Sequence, residues 1–272
     1  MSLIRAALIL LGMSLISFAW AILSGTIIGA LALVGISRWR GCLMTHWKFS
    51  RRRALNLLSQ GWPLIFSGTF VLLNLSVDKI LLRELSSVHE LGLFAAAARL
   101  SEAWYFFPVA VGGSVAPALT QAFASQPEVY RRKLQTVYNL MTGASMVVAL
   151  CASLLARPII ALLFGSEYHG SAAMFSIHIW SSVFLFHASV RSRSLIIEGN
   201  QRFVAVLSFA ALVANICGNL LLVPRYGGIG ASYASLFSWA FCALVVPLPW
   251  RETRPSVSMF ILSFLPFTRY RR

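Results

Sequence analysis

Apolar runs long enough to cross a lipid bilayer recur along nearly the whole chain, separated by short arginine-rich loops. A hydrocarbon core of about 30 Å takes roughly 20 apolar residues of helix per crossing, because unpaired backbone amides cannot be left in lipid. Residues 62–82, 91–123, 137–156, 172–190, 203–223 and 229–249 each meet that length. Residues 6–36 are long for one span and short for two, and are read as two short helices meeting near Ser17. Within them Ala21, Gly25 and Gly29 form a ridge of small residues of the kind that lets membrane helices approach closely. The expected fold is all-α: a polytopic membrane helical bundle of about eight spans. A soluble helical protein is excluded by composition, since 11% charged residues is under half the share, about 25%, of a soluble domain.

The formal charge of +15 is distributed by loop and forms no single patch, which argues for membrane orientation and against a nucleic-acid partner. Alternate loops carry Arg5; Arg38, Arg40, Lys48, Arg51, Arg52 and Arg53; Arg131, Arg132 and Lys133; Arg191, Arg193 and Arg202; and Arg251 and Arg254, with Arg269, Arg271 and Arg272 in the tail. The intervening loops carry only Arg83, Arg157 and Arg225. Short basic loops resist translocation, so the rich side is cytoplasmic and both termini lie inside. Residues 257–267 are apolar but too short to cross, with basic flanks that place them in the cytoplasmic interface.

Cys42, Cys151, Cys217 and Cys242 show no ligand spacing, and the five histidines are dispersed. No metal or other cofactor is expected, and no catalytic motif points to an enzyme. The informative side chains are the ionisable ones inside spans, each costing about 2.5 to 3.5 kcal/mol at mid-membrane unless it faces a cavity or a partner. Asn74 and Asp78 are four apart on one helix face, with Lys79 on the neighbouring face, and Arg99 and Glu102 are three apart and able to pair. Two readings stand. Either Lys79 snorkels to the interface and Arg99 and Glu102 neutralise each other, or these residues line a polar cavity whose cations, Lys79 and Arg99, meet an anionic substrate. Asn139, Asn215 and Asn219 are weaker candidates that interhelical hydrogen bonding explains, and for His178 and His187 core packing or a helix-helix hydrogen bond is favoured over a proton relay. Pro108, Gly112, Gly113 and Pro117 interrupt one long span, and Pro108, Gly112 and Gly113 are candidate hinge residues. Such breaks persist only where protein or water satisfies the freed backbone.

Several of these segments, in order, resemble a known family. They are Trp62 and Pro63 at a span start; Ser76, Val77, Asp78 and Lys79 near its end; the run from Glu90 through Ala95 and Ala98 to Arg99 and Glu102, with Pro108 and Pro117 beyond; Phe164, Gly165, Ser166, Glu167 and Tyr168; and the stretch from Asn219 through Pro224, Gly228 and Gly230 to Ser232. Together they are similar to the C-terminal half of the Wzx-type polysaccharide and O-antigen flippases, within the multidrug/oligosaccharidyl-lipid/polysaccharide exporter superfamily. The resemblance covers about residues 50 to 250. It implies a flippase of the bacterial inner membrane that moves an undecaprenyl-pyrophosphate-linked oligosaccharide between leaflets, using two six-helix bundles around a cationic cavity. On that pattern residues 1–37 are the last two helices of an incomplete N-terminal bundle, 38–56 a basic cytoplasmic linker, 57–250 a complete six-helix bundle and 251–272 a basic interfacial tail. The chain then has the look of a truncated form of such a transporter. The implied partners are the anionic lipid-linked oligosaccharide, membrane lipids and other polysaccharide-assembly proteins, with Lys79, Arg99 and Asn74 binding substrate and Asp78 or Glu102 coupling an ion. A multidrug exporter of the same superfamily and a membrane polymerase or ligase of polysaccharide assembly are the alternatives. The first would favour an acidic cavity; the second needs a large outer loop, and every outer loop here is short.

Overall fold

The computed structural model describes residues 15–39 and 49–265. Every regular element among them is helical: α1 (Leu15–Trp39), α2 (Arg51–Leu85), α3 (Val88–Glu102), α4 (Phe106–Ser125), α5 (Pro127–Leu154), α6 (Ala156–Phe164), α7 (His169–His178), α8 (Ser181–Ile197), α9 (Gln201–Leu244) and α10 (Arg254–Leu262), with short 3-10 turns at Ala103–Tyr105 and Ser166–Tyr168. Five stretches are long and apolar enough to cross a membrane, and α7 with α8, bent by 43°, make a sixth. The chain divides into two units, Met1–Leu57 and Leu58–Arg272.

In the first unit α1 is a single helix running through Ser17 without a break. The proposed first helix, ahead of the junction expected near Ser17, falls almost wholly on residues before Leu15, which lie outside the described residues. Of the basic linker expected at 38–56, residues 40–48 lie outside the described residues, and both of its ends are helical. Helix α1 continues to Trp39, and α2 begins at Arg51, eleven residues ahead of the apolar run. Nothing in Arg51–Gln60 breaks a helix, so the polar lead-in simply continues the apolar span behind it. Pro63 consequently sits inside α2 rather than at its start.

Within the second unit, α3 packs on α7, α4 and α5 on α8, and α9 on both α7 and α8. Helix α9 is a hairpin. At Gly227 the backbone turns to φ 54° and ψ −133°, a region open in practice only to glycine, and the chain reverses. A Cβ at Gly218 would come within 3.0 Å of the Ala234 Cβ sixteen residues on, which only two arms lying side by side permit. The two arms correspond to the separate spans read at 203–223 and 229–249. With α1, the described residues hold seven span-like segments of the eight expected.

The turns of the second unit sort to two ends. At one, Glu90 Oε2 accepts a hydrogen bond from Gly228 N at 2.8 Å and Leu93 O accepts from Ser171 Oγ at 2.8 Å. At the other, Pro127, Arg131, Glu198, Asn200 and Glu252 line a common cavity of about 490 Å³. The second end holds the loops rich in arginine. Helix α10, in the segment expected to lie in the interface, packs Met259 and Phe260 into an apolar cluster with Tyr138, Met141 and Phe186.

The burial pattern is that of a protein in lipid. Helix α2 buries Pro63, Ser67, Asn74, Asp78 and Leu82 while exposing Ile65, Phe66, Leu72, Leu73 and Ile80. Polar groups go inside and apolar ones outside, because hydrocarbon solvates the second kind and not the first.

Candidate functional site

The polar face of α2 meets the first arm of α9 along a ladder. Ser67 Oγ and Ser208 Oγ are 3.0 Å apart, Asn215 Nδ2 donates to Asn74 Oδ1 at 2.7 Å, and Asn219 Nδ2 donates to Asp78 Oδ1 at 2.6 Å. Each rung joins residues 141 apart. A constant offset requires parallel helices in register, and spacings of seven and four keep one face of each toward the other. The next position in the series, Leu82 with Val223, lies fully buried in one apolar cluster.

Asp78 is the centre of this seam. Its Oδ1 accepts from Asn219, its Oδ2 accepts from Ser235 Oγ on the second arm of α9 at 2.6 Å, and Asn219 is held in turn by Asn215 O at 2.9 Å. The carboxylate is 4% exposed and has no cation bonded to it. In the same seam Asn74 Nδ2 and Asn219 Oδ1 are buried without partners. Buried polar groups in native proteins are nearly always satisfied, so the cage has spare hydrogen-bonding capacity beside its one anion. Among the described residues no three histidine, cysteine or carboxylate side chains converge as a metal site.

Lys79, the next residue, turns away and crosses to α3, where its Nζ lies 3.0 Å from Glu102 Oε1 with both side chains about one-third exposed. The expected Arg99–Glu102 pair is therefore not formed. Glu102 faces α2, where Lys79 takes it, and Arg99 is exposed. Glu102 ends α3 at the 3-10 turn Ala103–Tyr105. That turn precedes Pro108 because proline's ring and missing N–H disrupt the turn behind it, at Trp104. Of the hinge candidates, Pro108 is buried in the first turns of α4. Gly112 lies under Arg193 of α8, whose Nε would be 2.1 Å from an added Cβ, and Gly113 faces open space.

His178 packs edge-on against Phe94 at 5.6 Å, and its buried Nδ1 has no partner. His187 Nδ1 donates to Val183 O, leaving Nε2 to accept from Thr142 Oγ1 at 2.7 Å. Asn139 is exposed, and its Oδ1 accepts from Gln135 Nε2 at 2.9 Å.

The sequence places Arg191 in a loop, but it lies in α8 and is 1% exposed. Its Nε donates to Ser256 Oγ at 2.7 Å, one terminal nitrogen to Cys242 O at 2.9 Å and the other to Ala243 O at 2.6 Å. These carbonyls belong to the last turn of α9, where unpaired acceptors and the helix dipole both favour a cation. Nearby, Tyr130 Oη donates to Glu198 Oε1 at 2.7 Å, and burial pushes the Glu198 carboxyl above its usual range, with the Tyr130 hydrogen bond opposing.

Comparison with known proteins adds two matches. A model of the polysaccharide biosynthesis protein family matches residues 1–173. The capsular polysaccharide biosynthesis protein CapF of Staphylococcus aureus is 23% identical over 192 residues, 67% of this chain and 46% of that protein. The chain thus spans less than half the length of this curated relative. No solved structure matches significantly.

Proposed function

Because the chain belongs to the polysaccharide biosynthesis protein family, we propose that it acts in a bacterial inner membrane as a flippase for undecaprenyl-pyrophosphate-linked oligosaccharide. In this reading both termini are cytoplasmic, the arginine-rich end faces the cytoplasm, and no bond in the cargo is made or broken. The observation that carries it is the Lys79–Glu102 ion pair joining two neighbouring membrane helices, with Arg99 three residues before Glu102 in the sequence. Ionisable side chains within membrane helices are costly in lipid and are retained where they face a partner or a cavity. A cationic drug as cargo would favour an acidic cavity, whereas the span charges balance, Lys79 and Arg99 against Asp78 and Glu102.

Lys79 and Arg99 receive the pyrophosphate, and Asn74 extends the polar surface behind them. Asp78, in its under-filled cage, is the ion-coupling group, with Glu102 a second candidate. Access alternates by rocking of helix bundles about the segment 38–56, with Pro108, Gly112 and Gly113 absorbing local change in α4. Together with a second bundle, residues 57–250 wall the cavity, and residues 251–272 lie at the cytoplasmic interface.

The test is transfer of a fluorescent lipid-linked oligosaccharide across proteoliposomes holding the full chain, with surface polysaccharide in cells as a second readout. Arg99→Ala is expected to abolish both while membrane insertion persists. Normal polysaccharide from that variant would remove Arg99 from the mechanism, and no transfer by the unaltered chain in either assay would remove the flippase reading.

A further inference from the structure

The cavity at the arginine-rich end plays no part in the flippase reading. It holds about 490 Å³ and is lined by Glu198, Glu252 and Arg131 on its polar side and by Phe123, Leu134 and Met259 among its apolar residues. These come from the ends of elements: the last turn of α4, the first turns of α5, the residue that closes α8, and the start of α10. Where spans end, the chain passes through the lipid headgroups, so the space opens at headgroup depth. Its charges run against the trend of the chain. With 23 basic residues and 8 acidic ones in all, the loops of this end attract anions, yet two carboxylates meet here. Glu252 is exposed and forms no ion pair among the described residues. Tyr130 Oη donates to Glu198 Oε1 at 2.7 Å, which leaves Oε2 for a further donor. The Tyr130 ring meets Phe123 edge-on at 5.2 Å, so aromatic surface adjoins the carboxylate, a combination that suits an ammonium ion. Arg131 pairs with Glu128 on its own helix at 3.7 Å, both side chains more than half exposed. So weak a surface pair leaves the guanidinium fork able to take a phosphate.

We propose that this cavity binds the headgroup of an aminophospholipid, phosphatidylethanolamine, with its ammonium at Glu198 and Glu252, its phosphodiester at Arg131 and the top of its acyl chains along Phe123, Leu134 and Met259. The site is separate from the polar residues of α2 and α3 and stands whether or not the chain is a flippase. Each part of the lining selects one part of the ligand. A primary ammonium donates three hydrogen bonds, which the two carboxylates and the Asn200 side chain, also in the lining, can accept. The trimethylated ammonium of phosphatidylcholine donates none. An anionic lipid such as phosphatidylglycerol offers the carboxylates no cation and sets its own charge beside theirs. A water-soluble amine would leave the apolar wall bare. Because α4, α5, α8 and α10 all contribute, a lipid seated here clasps elements far apart in sequence, and its binding raises stability by mass action.

The experiment titrates the full chain in detergent with phosphatidylethanolamine, phosphatidylcholine or phosphatidylglycerol, counting bound lipid by native mass spectrometry and following the thermal midpoint. The unaltered protein is expected to bind phosphatidylethanolamine first and to melt higher with it than with either of the others. Glu252→Gln, at an exposed position where folding is not at stake, is expected to weaken phosphatidylethanolamine about tenfold while leaving phosphatidylglycerol unchanged or tighter. Arg131→Gln is expected to weaken phosphatidylethanolamine and phosphatidylcholine by similar factors, because it removes only the phosphate contact. Equal binding of phosphatidylethanolamine and phosphatidylglycerol by the unaltered protein overturns the inference, as does an undiminished preference in both Glu252→Gln and Glu198→Gln. A neutral diglucosyl diacylglycerol that binds as tightly as phosphatidylethanolamine, and is weakened by the same two variants, also overturns it and assigns the cavity to sugar hydroxyls.

Discussion

Asp78 and Arg191 are both ionisable, both almost wholly buried, and neither is bonded to an opposite charge. Their surroundings differ in kind. Arg191 is held by the backbone carbonyls of Cys242 and Ala243 and by Ser256 Oγ, acceptors fixed by the end of a helix. Asp78 is held by Asn219 and Ser235, side chains that can rotate, in a seam with further amide atoms that have nothing to bond. A charge neutralised by rigid backbone dipoles has one good arrangement and ties α8, α9 and α10 together. A charge held by side chains that rotate has several. The first arrangement is fixed by backbone, the second by side chains.

This contrast can be broken most severely at Arg191. Replacement by alanine strands a buried helix terminus and is expected to cost about 3 kcal/mol, the scale of losing charged hydrogen bonds, read as a large fall in thermal midpoint in detergent. Arg191→Lys should recover only part, since an ammonium cannot span three acceptors as a guanidinium fork does. An unchanged midpoint in the alanine variant would end the architectural reading. Gly227→Ala strikes both sites at once, because the second arm of α9 carries Ser235 to Asp78 and Ala243 to Arg191. Strain of about 1 to 3 kcal/mol is expected from its backbone conformation, with a further clash against Glu90 Oε2, 2.6 Å from the added Cβ.

The seam itself should prove milder. Asn215→Leu is expected to cost about 0.6 kcal/mol, the average for polar contacts between membrane helices. Asp78→Asn should change the midpoint little yet remove the dependence of transport on sodium or on the proton gradient. A large stability loss there would make Asp78 a second Arg191. The smallest effect belongs to Glu198. Its carboxyl is raised in the folded protein, so the folded state binds its proton more tightly than the unfolded one. Stability from this group is full below its unfolded value and is lost as pH rises through the folded one. Glu198→Gln should therefore gain stability relative to the parent at pH 8 and less at pH 4, measured by the same melts.

Much of this molecule can be read from spacing alone. The apolar runs from residue 62 onward correspond to α2, to α3 with α4, to α5, to α7 with α8, and to the two arms of α9, because span length is a one-dimensional property set by the bilayer. Asn74 and Asp78 share a face for the same reason that any residues four apart do. That Asn215 and Asn219 stand opposite them is tertiary information, 141 residues away, and no local pattern carries it. Counting basic residues by loop put Arg191 and Arg193 at the correct end but could not show that α8 runs on to Ile197, which draws Arg191 inside. Spacing along one helix offers Glu102 the partner Arg99, while the neighbouring helix supplies Lys79 at 3.0 Å, which no local pattern carries.

The constant offset of the α2–α9 seam also bears on how such sequences can drift. Loops between the two helices can lengthen or shorten freely, because they do not set the rungs. Within each helix the spacing cannot change by one residue without turning a polar group toward lipid. Descendants should therefore change Asn74 with Asn215, and Asp78 with Asn219, as couples, leaving in an alignment a pair of linked columns on each rung.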